Sequence, residues 1–368
     1  MASIVVTGDV LRRPRGGNLA THLHYLIGLR KLGHQVAYVE DRGVEGQPQG
    51  VSHSGMPREG IVLLADLLRR CRVDVPVVWV DPDAGLVGGM DWQQLRGRLA
   101  KADLLIDLGG HGWLEERSLP RRRVLIDVDT AAPGSTLAAA PHQLEHDIHF
   151  SYRRDPAALP DAQWLATIPP VVPRLWYGPP SRTELPLRVS AAVAGASSRP
   201  GEPAACGIPT GQLPELPGRI SPRPWTALPA TEAARGEELR DAGFSVRDSE
   251  LVDSSLSSFR SNLIGSQALL SVGGGTASWF TSLDACFLAA ARPVIACDPD
   301  IDSWLPTGTG LVSVADLEGA VVAVERLQRE LARHAAAARG VAESVFHYKV
   351  VLPSLLEQAL PRRLQAVA

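Results

Sequence analysis

A chain of 368 residues that is 45% hydrophobic and 21% charged is globular, and its length favours about two domains. A formal net charge of −3 gives no overall footprint for nucleic acid. No window reaches the roughly 18 uninterrupted apolar residues of a membrane span, and the opening MASIVVTGDV lacks the basic start and long apolar centre of a signal peptide.

Four cysteines, Cys71, Cys206, Cys286 and Cys297, share no CxxC or metal-ligand spacing. Reduced core thiols in a cytoplasmic protein are expected, with no metal and no cofactor. Lysine is confined to Lys31, Lys101 and Lys349 while arginine is abundant, a composition that fits a GC-rich bacterial genome.

Residues 3–9, SIVVTGD, are apolar and β-rich, which suits a buried parallel strand. A loop over 8–17 follows, and Asn18 is placed to cap the next helix. Leu19, Leu23, Leu26, Ile27 and Arg30 recur at helical spacing, and Gly33 supplies the stop. HQVAYVED, 34–41, is a second strand. The alternation continues with helices near 57–71 and 91–100 and strands at 75–80, 103–108, 123–128 and 146–152. Strands alternating with helices predict a parallel sheet covered on both faces.

The proline-rich stretch 165–186 breaks this rhythm and reads as the connection between domains. A strand follows at 187–195. Residues 200–229 carry eight prolines, too many for a helix, and read as a long loop. Then come a helix at 231–242, a strand at 244–248, a helix at 253–264, a strand at 268–272 and a helix at 276–291. Strands at 293–298 and 310–314 and helices at 316–338 and 340–360 close the chain. The predicted class is α/β, with two Rossmann-like domains over 1–178 and 179–340 and a terminal helix in 341–368 that crosses back.

In open α/β sheets, ligands bind beyond the carboxyl ends of the strands. Gly16 and Gly17 precede a helix N-terminus there, where glycines let the backbone approach an anion. His111 lies between glycines after a strand, and its pKa range suits a general base. Trp113 in the same loop offers a stacking face. His22, in the first turn of the first helix, is another candidate base, whereas His24 suits packing. Asp127 and Asp129 alternate around Val128 at a strand end, so both share one face. They suit a base or a partner for an acceptor hydroxyl, and equally a turn cap. Glu40 and Asp41 carry the same ambiguity.

The main phosphate candidate is the run from an apolar strand into Gly273, Gly274 and Gly275, with a helix expected to open at Thr276. Thr276 and Ser278 add hydroxyls. Asp284, two turns into that expected helix, suits a ribose hydroxyl or a solvated helix face. No Lys or Arg lies between Arg260 and Arg292, so such a site works through backbone amides and hydroxyls.

GGNLATHLHYLIGLRKLGHQVAYVED resembles the first unit of a group of bacterial glycosyltransferase-like proteins with the GT-B fold. A GG loop, a helix ending in Leu-Gly-His and a strand ending in Glu-Asp recur there in this order. VLIDVDT, HDIHFSY and the run from ASWFTSLDAC to VADLEGAV are similar to later segments of the group. The likeness spans most of 1–178 and 253–330.

The resemblance implies two Rossmann-like domains facing across a cleft. A nucleotide-sugar donor is then held mainly by the C-terminal domain, and an acceptor, here a small molecule of natural-product type, by the N-terminal one. Donor contacts fall on Gly16, Gly17, Gly273, Gly274, Gly275, Thr276, Ser278 and Asp284, acceptor contacts on Asp127 and Trp113, and the base on Asp129, His111 or His22. Two family features are absent. The paired glutamates of retaining GT-B enzymes fall here on Ser278 and Cys286, and the acidic and basic residues ahead of the Trp-Phe pair fall on Ile264, Leu269 and glycines. A transferase-like protein without activity is the second reading those absences suggest. A dinucleotide enzyme is a third, against which the missing GxGxxG counts.

Overall fold

In the computed structural model the described residues are 1–43, 56–110, 114–128, 146–152, 165–167, 189–193, 225–228, 245–248, 255–266, 268–272, 280–298 and 300–360. The first sheet is built from β1 (Ser3–Thr7), β2 (Gln35–Asp41), β3 (Val77–Asp81), β4 (Leu86–Gly88), β5 (Leu104–Leu108), β6 (Arg123–Asp127), β7 (Ile148–Ser151) and β8 (Leu165–Thr167). Its order is β4-β3-β2-β1-β5-β6-β7-β8. Every pairing is parallel except the β3–β4 hairpin, which the sequence reading did not foresee.

Central β1 is apolar on both faces, as a doubly covered parallel sheet requires. Ile4 and Val6 pack towards α1 (Gly16–Lys31) and α2 (Arg58–Arg70). Val5 packs with Val39, Val78 and Leu105 on the other face, under Leu95 and Leu99 of α3 (Trp92–Lys101). Helix α1 ends as expected, with Gly33 at φ +87° and the His34 N–H bonded to the Leu29 carbonyl. Its start differs. The helix begins at Gly16, so the glycines form its first turn rather than a loop, and Asn18 is not its cap. The Asn18 amide donates instead to Asp9 Oδ1 and the Arg13 carbonyl, each at 3.0 Å.

The second sheet comprises β9 (Val189–Val193), β10 (Trp225–Leu228), β11 (Ser245–Asp248), β12 (Ala268–Val272), β13 (Val294–Cys297) and β14 (Leu311–Ser313). All its pairings are parallel, in the order β11-β10-β9-β12-β13-β14. Strand β10 lies in the stretch read as loop: WTAL, between Pro224 and Pro229, is free of proline and contains β-formers. Strand β8 likewise lies at the start of the stretch read as a connection. The helix expected at 231–242 lies outside the described residues.

Among the described residues, the helices of this half are α4 (Leu256–Gly265), α5 (Ser282–Ala289), α6 (Leu317–Arg329), α7 (Leu331–Val341) and α8 (Tyr348–Ala359). The single helix expected over 316–338 is two, because Glu330 leaves helical geometry at φ −123°. The stretch 340–360 is also divided. A π turn over Ala342–Phe346 runs into His347, whose ring caps α8 by accepting from the Lys349 N–H at 3.3 Å.

Helix α8 crosses back to the first sheet's side. A Cβ on Gly28 of α1 would lie 2.6 Å from Leu352 Cδ1 and 2.9 Å from Tyr348 Cβ, so glycine is what lets the two helices touch. One buried cluster runs from Val6 and Ile106 through Leu26 of α1 to Phe287 of α5 and to Phe346 and Leu352. Cys286 is buried, Cys71 and Cys297 are half-buried, and none of the three is in a disulfide. Among the described residues no helix is long and apolar enough to cross a membrane.

Candidate functional site

Strand order reverses around β1/β5 in the first sheet and β9/β12 in the second, and the crevices beyond those ends are where such sheets take ligands. The β1–α1 loop at the first reversal is pinned by Glu40. This fully buried carboxylate accepts from the Leu11 N–H at 2.7 Å, the Arg12 N–H at 2.9 Å, Arg12 Nε at 3.0 Å and the Tyr38 hydroxyl at 2.6 Å. Tyr38 and Glu40 share a face by the period of two. Burial pushes the Glu40 pKa up to about 7, against the pull of Arg12. Burial opposes the charge on Arg12, but Glu40, Asp9 and Asp41 outweigh it and hold its pKa above the usual value. Four donors around one carboxylate make Glu40 a loop anchor rather than a base open to substrate.

His22 lies one turn further into α1 and is 1% exposed. Its Nδ1 is 2.9 Å from the Asn18 carbonyl, which assigns the proton to Nδ1 and leaves Nε2 as the basic nitrogen. The ring stands edge-on to Tyr38 at 5.8 Å. Nε2 points at Gly8, just past β1, where a Cβ would lie only 2.0 Å from it. A bare backbone at residue 8 is therefore a condition for this histidine's position.

Gly16 is buried at the seam between the two halves. A Cβ there would lie 2.3 Å from Phe259 Cβ and 2.7 Å from the Ser255 carbonyl oxygen, so Gly16 seats α1 on α4. Gly17 is half-buried, and its carbonyl accepts from Thr21 Oγ1 at 3.0 Å. Asp41 accepts at 2.8 Å from the N–H of Leu114, the residue that follows Trp113 in sequence. Asp107, at the end of β5, lies 3.3 Å from His146 Nε2. Asp127 is buried beside its strand partner Ser151, whose hydroxyl donates to it at 3.3 Å.

The seam continues through two buried tyrosines. The hydroxyls of Tyr25 and Tyr152 are 3.0 Å apart. Burial raises both pKa values, and the Tyr152 hydroxyl also meets Ser282 of α5. On the other side, Phe280 is stacked on Phe346 at 4.9 Å and stands edge-on to Trp304 at 6.5 Å.

Asp284 differs from expectation. The helix opens at Ser282, not Thr276, so Asp284 lies in its first turn and is buried rather than solvated. It forms a capping box: the carboxylate accepts from the Thr281 N–H and hydroxyl at 2.7 Å each, and Thr281 Oγ1 accepts from the Asp284 N–H at 3.2 Å. Burial raises its pKa, with Thr281 and Ser271 opposing.

His111, Trp113, Asp129, Gly273, Gly274, Gly275, Thr276 and Ser278 lie outside the described residues. Of the sequence candidates that are described, Gly16, Gly17 and His22 come together on the first two turns of α1, with Asp127 in the same sheet and Asp284 across the seam. Sequence reasoning missed Arg12, Tyr38, Gly8 and the Tyr25–Tyr152 pair. The alternation in VAYVED was the available signal for Tyr38 with Glu40; nothing local announced the others.

No protein-family model and no curated protein matches the sequence. Solved structures do. An alpha-glucosyltransferase in complex with UDP is similar over 97% of this chain and 99% of its own, with a TM-score of 0.56 at 10% identity. An alpha-glucosyltransferase in complex with UDP-glucose and DNA containing an abasic site gives a TM-score of 0.54 at 9% identity, over 96% of this chain and 98% of its own. With the two largely parallel sheets and the returning α8, these likenesses show a GT-B-like fold.

Proposed function

We propose that the chain is a cytoplasmic glycosyltransferase that moves a sugar from a nucleotide-sugar donor to a small-molecule acceptor of natural-product type. The observation that carries this reading is the seam. The first turn of α1 is seated on α4, and the segment leaving β12 returns at Thr281 and Ser282 to the Tyr152 hydroxyl of the first sheet. In sequence, Gly273, Gly274, Gly275, Thr276 and Ser278 fall between Val272, which ends β12, and Phe280, which supports the donor reading. The solved relatives with UDP and UDP-glucose support a uridine donor as the first choice.

On this reading, N–H groups and hydroxyls of Gly273 to Ser278, with Gly17 from α1, take the diphosphate. The acceptor, beside Asp127 and Trp113, loses its hydroxyl proton to Asp129, His111 or His22. Its oxygen bonds to the anomeric carbon as the bond from that carbon to the β-phosphate oxygen breaks, and the nucleoside diphosphate leaves. The domain assignment is 1–178 for the acceptor and 179–340 for the donor, with 341–368 crossing back. Titration calorimetry against UDP, dTDP and GDP tests this: one of them binds, and Gly274→Trp abolishes that binding. Absence of heat with all three at millimolar concentration defeats the reading.

A second reading, a donor-binding or partner protein without transfer, is favoured by Asp284 and Cys286. The first is spent on a cap, and the second stands buried where retaining relatives of the fold carry a carboxylate. Donor binding with neither hydrolysis nor transfer would decide for it.

A further inference from the structure

The end of the first sheet opposite the candidate site carries a concentration of positive charge. Parallel topology puts the amino ends of β3, β2, β1, β5 and β6 side by side, with the carboxyl ends of α1, α2 and α3 beside them. Lys31, Arg70, Arg72, Lys101, Arg121 and Arg122 are exposed along this edge. Side chains of Arg70, Arg121 and Arg122 are 75%, 68% and 45% exposed, whereas the aspartates they approach, Asp66, Asp103 and Asp147, are 25%, 16% and 28% exposed. Asp74 is the exposed acid at this end among the described residues. Two of the chain's three lysines lie here, in a protein whose net charge is −3.

Basic residues in the last turn of a helix complement its dipole, which accounts for Lys31, Arg70 and Lys101. It does not account for Arg121 and Arg122, which lead into β6, nor for Arg72. Arg72 occupies the left-handed position after α2 at φ +55°, the place that Gly33 takes after α1. An arginine is held there although its backbone is strained.

We propose that this edge docks on an anionic lipid bilayer surface. From β3 to β6 the charges spread over four strand spacings, roughly 20 Å, on an edge rather than in a groove. Long side chains that each reach a headgroup layer add their contributions charge by charge, as a polybasic surface does on anionic lipid. Leu119, 38% exposed, stands next to the arginines and is placed to enter the interface. The helix ends at this edge are carboxyl ends, which offer no N–H groups to individual phosphates of a nucleic acid. Most of its exposed residues are charged, with Met1 and Leu119 the exposed large apolar ones, unlike the apolar centre of a protein–protein interface. Docking here leaves the strand carboxyl ends, and the candidate site, facing away from the lipid, and it does not depend on the donor reading.

Co-sedimentation of the full chain with vesicles tests the proposal. Binding to phosphatidylcholine vesicles containing phosphatidylglycerol is expected at low salt, with loss at high salt and none to phosphatidylcholine alone. Arg121→Gln with Arg122→Gln should lower partitioning about fivefold for each residue neutralised. Lys31→Gln with Lys101→Gln, at exposed helix-end positions, should do the same and guards against a folding defect in the first pair. Nucleotide titration of each variant should match the parent. The proposal is overturned by absence of binding at low salt, by equal binding to neutral vesicles, by variants that bind like the parent, or by duplex DNA binding that matches or exceeds vesicle binding.

Discussion

Glu40 shows what one buried carboxylate does for the candidate site. It ties two backbone N–H groups, a guanidinium and a phenol to the end of β2, and so fixes the path of the loop that enters α1. Its pKa in the folded chain, about 7, lies above the ordinary 4.5. A carboxyl whose pKa rises on folding stabilises the folded state below its unfolded value, and that contribution is lost as pH rises through about 7. The full shift corresponds to on the order of 3 kcal/mol. Urea midpoints of the parent should therefore fall from pH 4.5 to above 7 relative to those of Glu40→Gln, which cannot titrate. A parent that gains stability over Gln in that window would mean that Arg12 holds the carboxylate ionised throughout. Gly8 acts at the same scale through absence, since the space a side chain would fill belongs to the His22 ring.

Among the elements, α5 is capped by its first residues. Thr281 and Asp284 satisfy one another and the helix end, and Asp284 is buried. Removing the hydroxyl costs a cap and leaves the carboxylate with one donor fewer, together roughly 2 kcal/mol. Thr281→Ala should lower the chemical-denaturation midpoint accordingly, and Thr281→Ser should restore it. A neutral Ala variant would mean the cap is redundant with the Phe280 stack. The sequence made α5's existence legible through its apolar run but not its start, because Thr276 and Thr281 are both acceptable caps. Tertiary contacts at Phe280 and Ser282, not local propensity, separate them. Helix α1 illustrates the same limit. Its periodicity and Gly33 marked its body and end, whereas its start depends on Gly16 fitting against Phe259, a residue far along the chain.

At the scale of the whole molecule, alternating strands and helices were enough to foresee a doubly wound α/β protein with a returning terminal helix. Strands β4, β8 and β10 were missed because short edge or proline-flanked strands carry little pattern. The candidate site was legible as places, the ends of β1, β5, β6 and β12, and less so as chemistry. Asp284 was assigned to a ligand and serves a cap, while Glu40 anchors a loop that only the folded pairing of β1 with β2 brings near.

Helix α8 has a further consequence, because it belongs to the second half by sequence and to the first by packing. Its Leu352 and Tyr348 fill the notch at Gly28, so the first half is completed by a helix that follows the second. A fragment 1–178 should thus be an incomplete fold, aggregating or molten when expressed alone. A peptide covering 342–360, supplied in trans, should bind it and restore a cooperative melt by circular dichroism. Independent cooperative folding of the fragment without the peptide would show that the notch is dispensable. Viewed this way, helix α8 is a strap that makes two α/β halves one folding unit, and a permuted chain beginning with it should fold from its amino end.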